Sequence, residues 1–312
     1  VFLQALALLK GFDLDGMAPD GDAFVHTVVE CLKLAYADRE AWYGDPAFVD
    51  VPMTELLSER YNVERRRLVG DEASLELRPG AVGGRAPRLP RIEEGAHLTP
   101  AEVAAAGIGE PSVAELGAVA GDTVHVDVID RDGNMIAAMP SGAWLQSTPT
   151  IPGLGFCLSA RGQMLWLEEG LPSSLEPGKR PRTTLSPGLA FRDGEPWLVF
   201  GSPGGDSQDQ WALTFFLRHV HHGLGIQAAI ARPNFKSSHW PDSFYPRRAS
   251  PGELGIESDF PKQTVEGLRR RGHKVSLVAP RTYGRMCACE KDGPLLKAGA
   301  NVSTMQGYAV GR

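Results

Sequence analysis

The chain has 312 residues, 42% of them hydrophobic and 22% charged, with a formal net charge of −6. That is the composition of an ordinary globular protein, long enough for one large domain or two modest ones. The acidic balance argues against nucleic acid or an anionic membrane as main partner, and no apolar run approaches the roughly 20 residues of a membrane span. Four cysteines are present, Cys31, Cys157, Cys287 and Cys289. Cys287-Ala288-Cys289 is too close for an ordinary disulfide and lacks the spacer of a zinc knuckle, so the cysteines read as free or buried thiols. They leave the compartment open.

In chain order, Val1 to about Lys10 reads as a helix stopped by Gly11. It begins as if in mid-helix and lacks the marks of a signal peptide, which implies a natural N-terminus further upstream. Phe24, Val25, Val28, Val29, Leu32, Ala35 and Tyr36 recur at helical spacing and predict an amphipathic helix from the N-cap Asp22 to near Trp42. Leu56 to Leu68 predicts a second helix, with Glu59, Arg60, Glu64, Arg65, Arg66 and Arg67 on a solvated outer face. Arg78 to Ala120 is rich in Pro, Gly, Ala and Glu and has little periodicity beyond a helix start at Thr99-Pro100. A loose arm of that length is a natural place for a chain break.

Strands begin at Thr123. Val124, Val126 and Val128 alternate with His125, Asp127 and Ile129, and Arg131-Asp132-Gly133-Asn134 supplies the turn to a return strand, Met135 to Met139. Further strands are expected at Gly153–Leu158, Pro187–Phe191, Pro196–Phe200, Lys274–Val278 and in the tail after Leu295. Helices are expected over Gln210–His221, Ile226–Ala231 and Ser258–Arg271. Strands flanking two central helices, after a mostly helical first third, suit a layered α/β sandwich.

Three constellations bear chemistry. Thr123 starts a strand after a flexible arm; if the bond before it is cut, it gains a free amine near pKa ~8 that can take its hydroxyl proton. A plain strand threonine has the same spacing. Gly201-Ser202-Pro203-Gly204-Gly205 can turn backbone N–H groups toward an oxyanion, with the dipole of the following helix behind them, and can equally be a simple turn. Pro177-Gly178-Lys179-Arg180-Pro181-Arg182 leads into Thr183 and Thr184, where two hydroxyls beside three cations suit a carboxylate. A solvated basic loop is the alternative. His219, His221 and His222 do not share a helix face and suggest no metal site, and His125 beside Thr123 reads as packing.

Together these stretches resemble the γ-glutamyltransferases, from the late large subunit to the C-terminus. The likeness is carried by Leu32-Lys33-Leu34-Ala35-Tyr36-Ala37-Asp38-Arg39, by Tyr43-Gly44-Asp45-Pro46 with Val51-Pro52, by Thr123 through Asn134, by Pro177 to Pro181 and by Gly201 to Gly205. The resemblance implies an αββα sandwich of the N-terminal nucleophile hydrolase type. It also implies two subunits from one precursor, here residues 1–122 and 123–312, cut between Asp122 and Thr123. By position, Thr123 corresponds to the nucleophile, Ser141 to its hydrogen-bond partner, and Gly204 and Gly205 to the oxyanion loop. Thr183 and Thr184 stand for the pair that binds the donor α-carboxylate, and Gln163 for a substrate-pocket residue. Ala143 stands where many members have a donor-contacting Asn, and Trp166 where they have the Asp that binds the donor α-amine.

The function so implied is cleavage of a γ-glutamyl amide, such as that of glutathione, through a threonyl ester passed to water or to an amino-acid or peptide acceptor. No cofactor or metal is called for. The changes at Ala143 and Trp166 point to a second possibility, an acylase of the same fold acting on glutaryl or other amides. A third is a catalytically inactive or structural protein. Localisation is not legible.

Overall fold

The computed structural model describes residues 1–91, 123–142, 148, 150–245, 247–301 and 307–311. The expectations at Thr99, Asp122 and Ala143 lie outside these residues, as does most of the Arg78–Ala120 stretch.

Helix α1 (Phe2–Leu9) lies against α2 (Asp22–Trp42), the central element of the first third. Its spacing predicts one wet face, yet every residue from Phe24 to Trp42 is buried. The apolar side joins a core with Leu8, Leu9, Leu213, Leu217, Leu254 and Ile256. The polar side is buried because its charges are met. Lys33 Nζ donates to Glu30 at 2.6 Å and to the Ser74 carbonyl at 2.8 Å. Asp38 accepts from Gln4, Tyr61 and the Gly80 N–H. Periodicity registers apolar positions but not the partners that make a polar face buriable.

The single helix expected over Leu56–Leu68 is two, α3 (Met53–Leu56) and α4 (Glu59–Arg66). Ser58 separates them: its Oγ accepts from the Tyr61 N–H at 3.2 Å and caps α4. The outer charged face is also only partly solvated. Arg66 donates to the carbonyls of Ala7 and Leu8, and Arg65 reaches Asp38. The described start of the arm is not loose either. Gly80 is clamped between Asp38 and the Trp42 indole, and Arg88 donates to the carbonyls of Glu169 and Gly170.

Strands β1 (Val126–Ile129) and β2 (Met135–Ala138) form the expected hairpin, with β1 starting at Val126, three residues later than the expected start at Thr123. Gly133 takes φ +86° in its turn, and Asp130 Oδ1 accepts the N–H groups of Asp132 and Asn134. After it come β3 (Gly188–Arg192), β4 (Glu195–Gly201), α5 (Ser207–Val220) and α6 (Ile226–Ile230). Next are β5 (Phe235–Ser237), β6 (Glu253–Glu257), α7 (Lys262–Arg270) and β7 (Lys274–Val278), then β8 (Cys287–Asp292) and β9 (Leu295–Ala300). An antiparallel sheet runs β3-β4-β8-β9, and a second, mixed sheet runs β5-β6-β7 with α7 as the crossover between parallel β6 and β7. Gly153–Leu158 is not a strand: only an isolated bridge joins Thr150 to Cys157, and positive φ at Gly153 and Gly155 breaks the extended run.

Helices α5 and α6 cover one face of the four-stranded sheet, around Leu198, Phe200, Trp211, Phe215, Ile230 and Ala288. The hairpin lies across the other face, where β4 presents Gly201 to His125 and β8 presents Cys289 to the Asp127 carbonyl. The four-stranded sheet thus lies between a helix layer and the hairpin, and the mixed sheet packs through β5 on α5 and through β7 on α7, a layered α/β arrangement. The hairpin's alternation is the reverse of what polarity suggests. The side chains of His125 and Asp127 are 1% exposed, whereas Val124, Val126 and Val128 face outward at 52%, 46% and 45%.

Candidate active site

The hairpin register fixes the first contact. Pairing Val126 with Ala138 puts Ser141 opposite Thr123, and the Val124 N–H donates to the Pro140 carbonyl at 3.2 Å. The Thr123 and Ser141 hydroxyls are 2.6 Å apart, and Thr123 is 7% exposed. Ser141 is therefore placed to orient the Thr123 hydroxyl, three residues ahead of β1. Two residues on, His125 gives its Nε2 to Asp127 at 2.8 Å, and burial pushes the Asp127 carboxyl above its usual range against the pull of His125. The ring lies against Gly201, where no β-carbon fits.

Gly201 opens the glycine loop. Gly204 has φ +135°, and a β-carbon there would lie 2.6 Å from the Trp211 ring; Gly205 has φ +54°. The carbonyls of Gly204 and Gly205 accept from Ser207 and Gln208 and so begin α5. Among the described residues neither glycine's own N–H has a hydrogen-bond acceptor. Asp206, immediately after them, is clamped by Arg39 of α2, by the Ser243 N–H at 2.8 Å and by Ser243 Oγ at 2.7 Å. The Tyr36 hydroxyl donates to its carbonyl at 2.5 Å. Burial alone would raise the Asp206 carboxyl, but Arg39 and Arg182 hold it below its usual range. The loop is thus anchored from α2.

The cations of the basic stretch before the hydroxyl pair have partners within the chain: buried Lys179 with Glu176 at 2.9 Å, exposed Arg180 with buried Asp45 at 2.8 Å, and Arg182 with Glu40 and Ser243 at 3.0 Å. Asp45, gripped by Arg180, sits well below the usual carboxylate range. Of the pair itself, Thr183 is exposed and accepts the Leu185 N–H at 3.1 Å, while Thr184 is 7% exposed. The guanidinium that reaches Thr184 comes from elsewhere. Arg161, on a 3₁₀ turn (Ala160–Met164), donates Nη1 to Thr184 Oγ1 at 3.0 Å. Its Nε lies 3.0 Å from where a Gly142 β-carbon would be, and Gly142 follows Ser141. Sequence reasoning missed Arg161, since nothing in its neighbours' spacing marks it.

Gln163 and Trp166 lie on and just after the same turn, both half-buried. Arg247 stacks over the Trp166 ring at 3.9 Å and donates to the carbonyls of Gln163 and Leu165. The three histidines of α5 and its end diverge, to Glu290 and Leu224, to Asp15, and to Met17. A buried trio, His26, Glu30 and His273, has ligand atoms close enough for a metal. The Lys33 ammonium already sits on Glu30, and His26 spends both ring nitrogens on His273 and the Gly70 carbonyl, so the donor set does not suit a cation. No described helix is long and apolar enough to cross a membrane.

The helix layer, the four-stranded sheet and the hairpin across it form an α/β fold of the N-terminal nucleophile hydrolase class, the fold of the solved cephalosporin acylase from Bacillus halodurans, which is 24% identical with a TM-score of 0.74 over 99% of this chain and 48% of that one. Within that class the chain belongs to the gamma-glutamyltranspeptidase family, whose pattern matches residues 1–311. It is 28% identical over 302 residues to the acylase ACY 1 proenzyme of Pseudomonas sp. (strain SE83), covering 95% of this chain and 45% of that protein. It is 28% identical over 279 residues to the glutathione hydrolase-like YwrD proenzyme of Bacillus subtilis (strain 168), covering 88% of this chain and 44% of that protein. Among solved structures, that of LmbA2991T421A is 52% identical with a TM-score of 0.85, over 100% of this chain and 52% of that one. The chain spans about half the length of the proteins it matches.

Proposed function

We propose that the chain carries the catalytic centre of a self-processing amide hydrolase or acyltransferase. The bond between Asp122 and Thr123 is cut, dividing the protein at residues 1–122 and 123–312 into parts of a large and a small subunit. The Thr123 hydroxyl then attacks the donor amide carbon, and its proton passes to the new α-amine. The tetrahedral oxyanion rests on the N–H groups of Gly204 and Gly205. The C–N bond breaks, the leaving amine takes the proton, and the threonyl ester is released to water or to an amino-acid or peptide acceptor. Thr183 and Thr184 bind a carboxylate of the donor, with Gln163 and Trp166 lining its pocket.

The observation that carries this reading is the 2.6 Å Thr123–Ser141 contact at the open end of the β1–β2 hairpin. The proenzyme relatives support processing. A second reading of the donor, as a glutaryl-type amide in place of a γ-glutamyl one, is favoured by Trp166, an indole stacked under the Arg247 guanidinium at the position read as that of the ammonium-binding carboxylate. Mass spectrometry of the purified protein tests the core of the proposal. Wild type is expected to yield a chain beginning at Thr123, and Thr123→Ala a single uncut, inactive chain. An active wild type that stays whole sinks the mechanism.

A further inference from the structure

The inner face of the hairpin carries a polar pair where packing alone would favour apolar side chains. The side chains of His125 and Asp127 are each 1% exposed and share one hydrogen bond, Nε2 to Oδ2 at 2.8 Å. Among the described residues, His125 Nδ1 and Asp127 Oδ1 have no hydrogen-bond partner. Two polar atoms thus lose water without return, a cost that a pair of valines at these positions avoids. What the pair supplies instead is a ring held at one angle. Its Nδ1–Cε1–Nε2 edge rests on Gly201: a β-carbon there would lie 2.4 Å from Cε1, 2.6 Å from Nε2 and 2.9 Å from Nδ1. The next inward residue seats on the same sheet, where the Asp127 carbonyl accepts from Cys289 Sγ of β8 at 3.5 Å.

The two elements that meet at this ring are the two that the reaction needs. His125 follows Thr123 by two residues, and Gly201 precedes Gly204 by three. The link from Gly201 to Gly204 is stiff. Ser202 is 0% exposed and its Oγ donates to the Pro203 carbonyl at 2.7 Å, while the Pro203 ring fixes its own φ. A displacement at Gly201 is therefore passed on to the glycine pair. We propose that His125 and Asp127 are positioning residues: the imidazole, held at a fixed angle by the carboxylate, is the spacer that sets the distance from the Thr123 hydroxyl to the N–H groups of Gly204 and Gly205. This rests on the reading of Thr123 as nucleophile and of the glycine loop as oxyanion site. Both must meet one carbonyl, the hydroxyl at its carbon and the N–H groups at its oxygen. An error in their separation weakens the chemical step and leaves donor binding elsewhere in the site intact.

A double-mutant cycle on the purified full-length protein tests this, with kcat and KM measured per chain cut at Thr123 on γ-glutamyl and glutaryl anilides. Gly201→Ala pushes the ring off its seat and should lower kcat about 100-fold, the scale of a misplacement of about 1 Å, with KM within about 3-fold of wild type. His125→Ala removes the spacer and should lower kcat by about 100-fold as well. In the double variant the added methyl no longer meets the ring, so kcat should exceed the product of the two losses by at least about 10-fold, as for residues in contact. Asp127→Asn keeps an acceptor for Nε2 and should stay within about 5-fold of wild type, whereas Asp127→Ala frees the ring to turn and should lose about 10-fold or more. Urea unfolding of each variant separates lost stability from lost rate; should either single variant of the cycle not fold or not be cut, the two Asp127 variants decide the matter. Independent losses in the cycle, a change in KM alone, or an Asp127→Ala variant as active as wild type overturns the inference. Thr123→Ala that stays active refutes the nucleophile reading, and the spacer with it; an inactive Thr123→Ala beside independent losses refutes the spacer alone.

Discussion

Gly204→Ala isolates what the glycine loop contributes. At φ +135° an alanine is strained by about 1–3 kcal/mol. Its β-carbon also lies 2.6 Å from Trp211 Cζ3. Trp211 cannot easily yield, since it is 2% exposed and its indole N–H is bonded to the Phe235 carbonyl at 3.0 Å. Overpacking of that kind adds about 1–3 kcal/mol, giving about 2–6 kcal/mol in all. The loop relieves it by shifting, and a shift withdraws N–H donors whose loss costs roughly 100- to 1,000-fold in kcat. Gly223→Ala is the control. It too has positive φ, +62°, but nothing lies near its would-be β-carbon, so it carries only the backbone strain. Hydrolysis of an acyl anilide by both variants, with urea unfolding alongside, checks the argument. We expect kcat down at least about 100-fold for Gly204→Ala and within about 3-fold of wild type for Gly223→Ala. Equal activity in the two variants would refute the assignment of the loop.

Two further outcomes follow from buried charge. Burial lowers His239 to about 4 and His273 to about 3 and lowers His26 as well, so all three sit neutral in the fold while an unfolded imidazole titrates near ~6.5. The unfolded chain then binds more protons below ~6.5. Each group's contribution is complete above that pH and falls by up to ~1.4 kcal/mol per unit toward its folded pKa. Urea unfolding at pH 7 and pH 5 should show the loss, and His273→Phe should flatten it; an unchanged slope in the variant rejects His273 as a source. Asp206→Ala, which strands Arg39 and Arg182 beside Glu40, should cost about 3–5 kcal/mol in the same assay. A cost below about 1 kcal/mol would show that the pair does not hold the loop.

Much of this was legible in the sequence because local rules decided it. The hairpin at Arg131–Asn134 follows from turn chemistry, and with it the Thr123–Ser141 contact, since register alone fixes which residue stands opposite. Strands β5, β6 and β8 are not among the expected ones. β5 is three residues long, β6 is a short run with Gly255 at its centre, and β8, Cys287-Ala288-Cys289-Glu290-Lys291-Asp292, has no clean apolar face, because Glu290 points into the helix layer to bind Trp197 and His219. Polarity likewise misjudged β1, whose His125 and Asp127 are buried as a pair while its valines face out. Arg161 and Arg247 could not have been placed at the pocket, because their partners lie 23 and 81–84 residues away in the chain.

The landmarks that carry the family likeness also change meaning once they are placed. None of Tyr36, Arg39 and Asp45 belongs to the set read as catalytic. Tyr36 is stacked at 3.7 Å on Trp240 and donates to the Asp206 carbonyl, and Arg39 takes the Asp206 carboxylate, so α2 sets the residue that follows Gly205. Asp45 holds Arg180, three residues before Thr183. The helix and the Tyr43–Pro46 turn thus position the glycine loop and the hydroxyl pair from a part of the chain that precedes Thr123. If cleavage falls before Thr123, the two products must remain bound, since Asp206 and Arg180 would otherwise lose Arg39 and Asp45 and leave charges without partners. On this scaffold the proposed cut would free an amine at Thr123 without separating the halves that hold the site in shape.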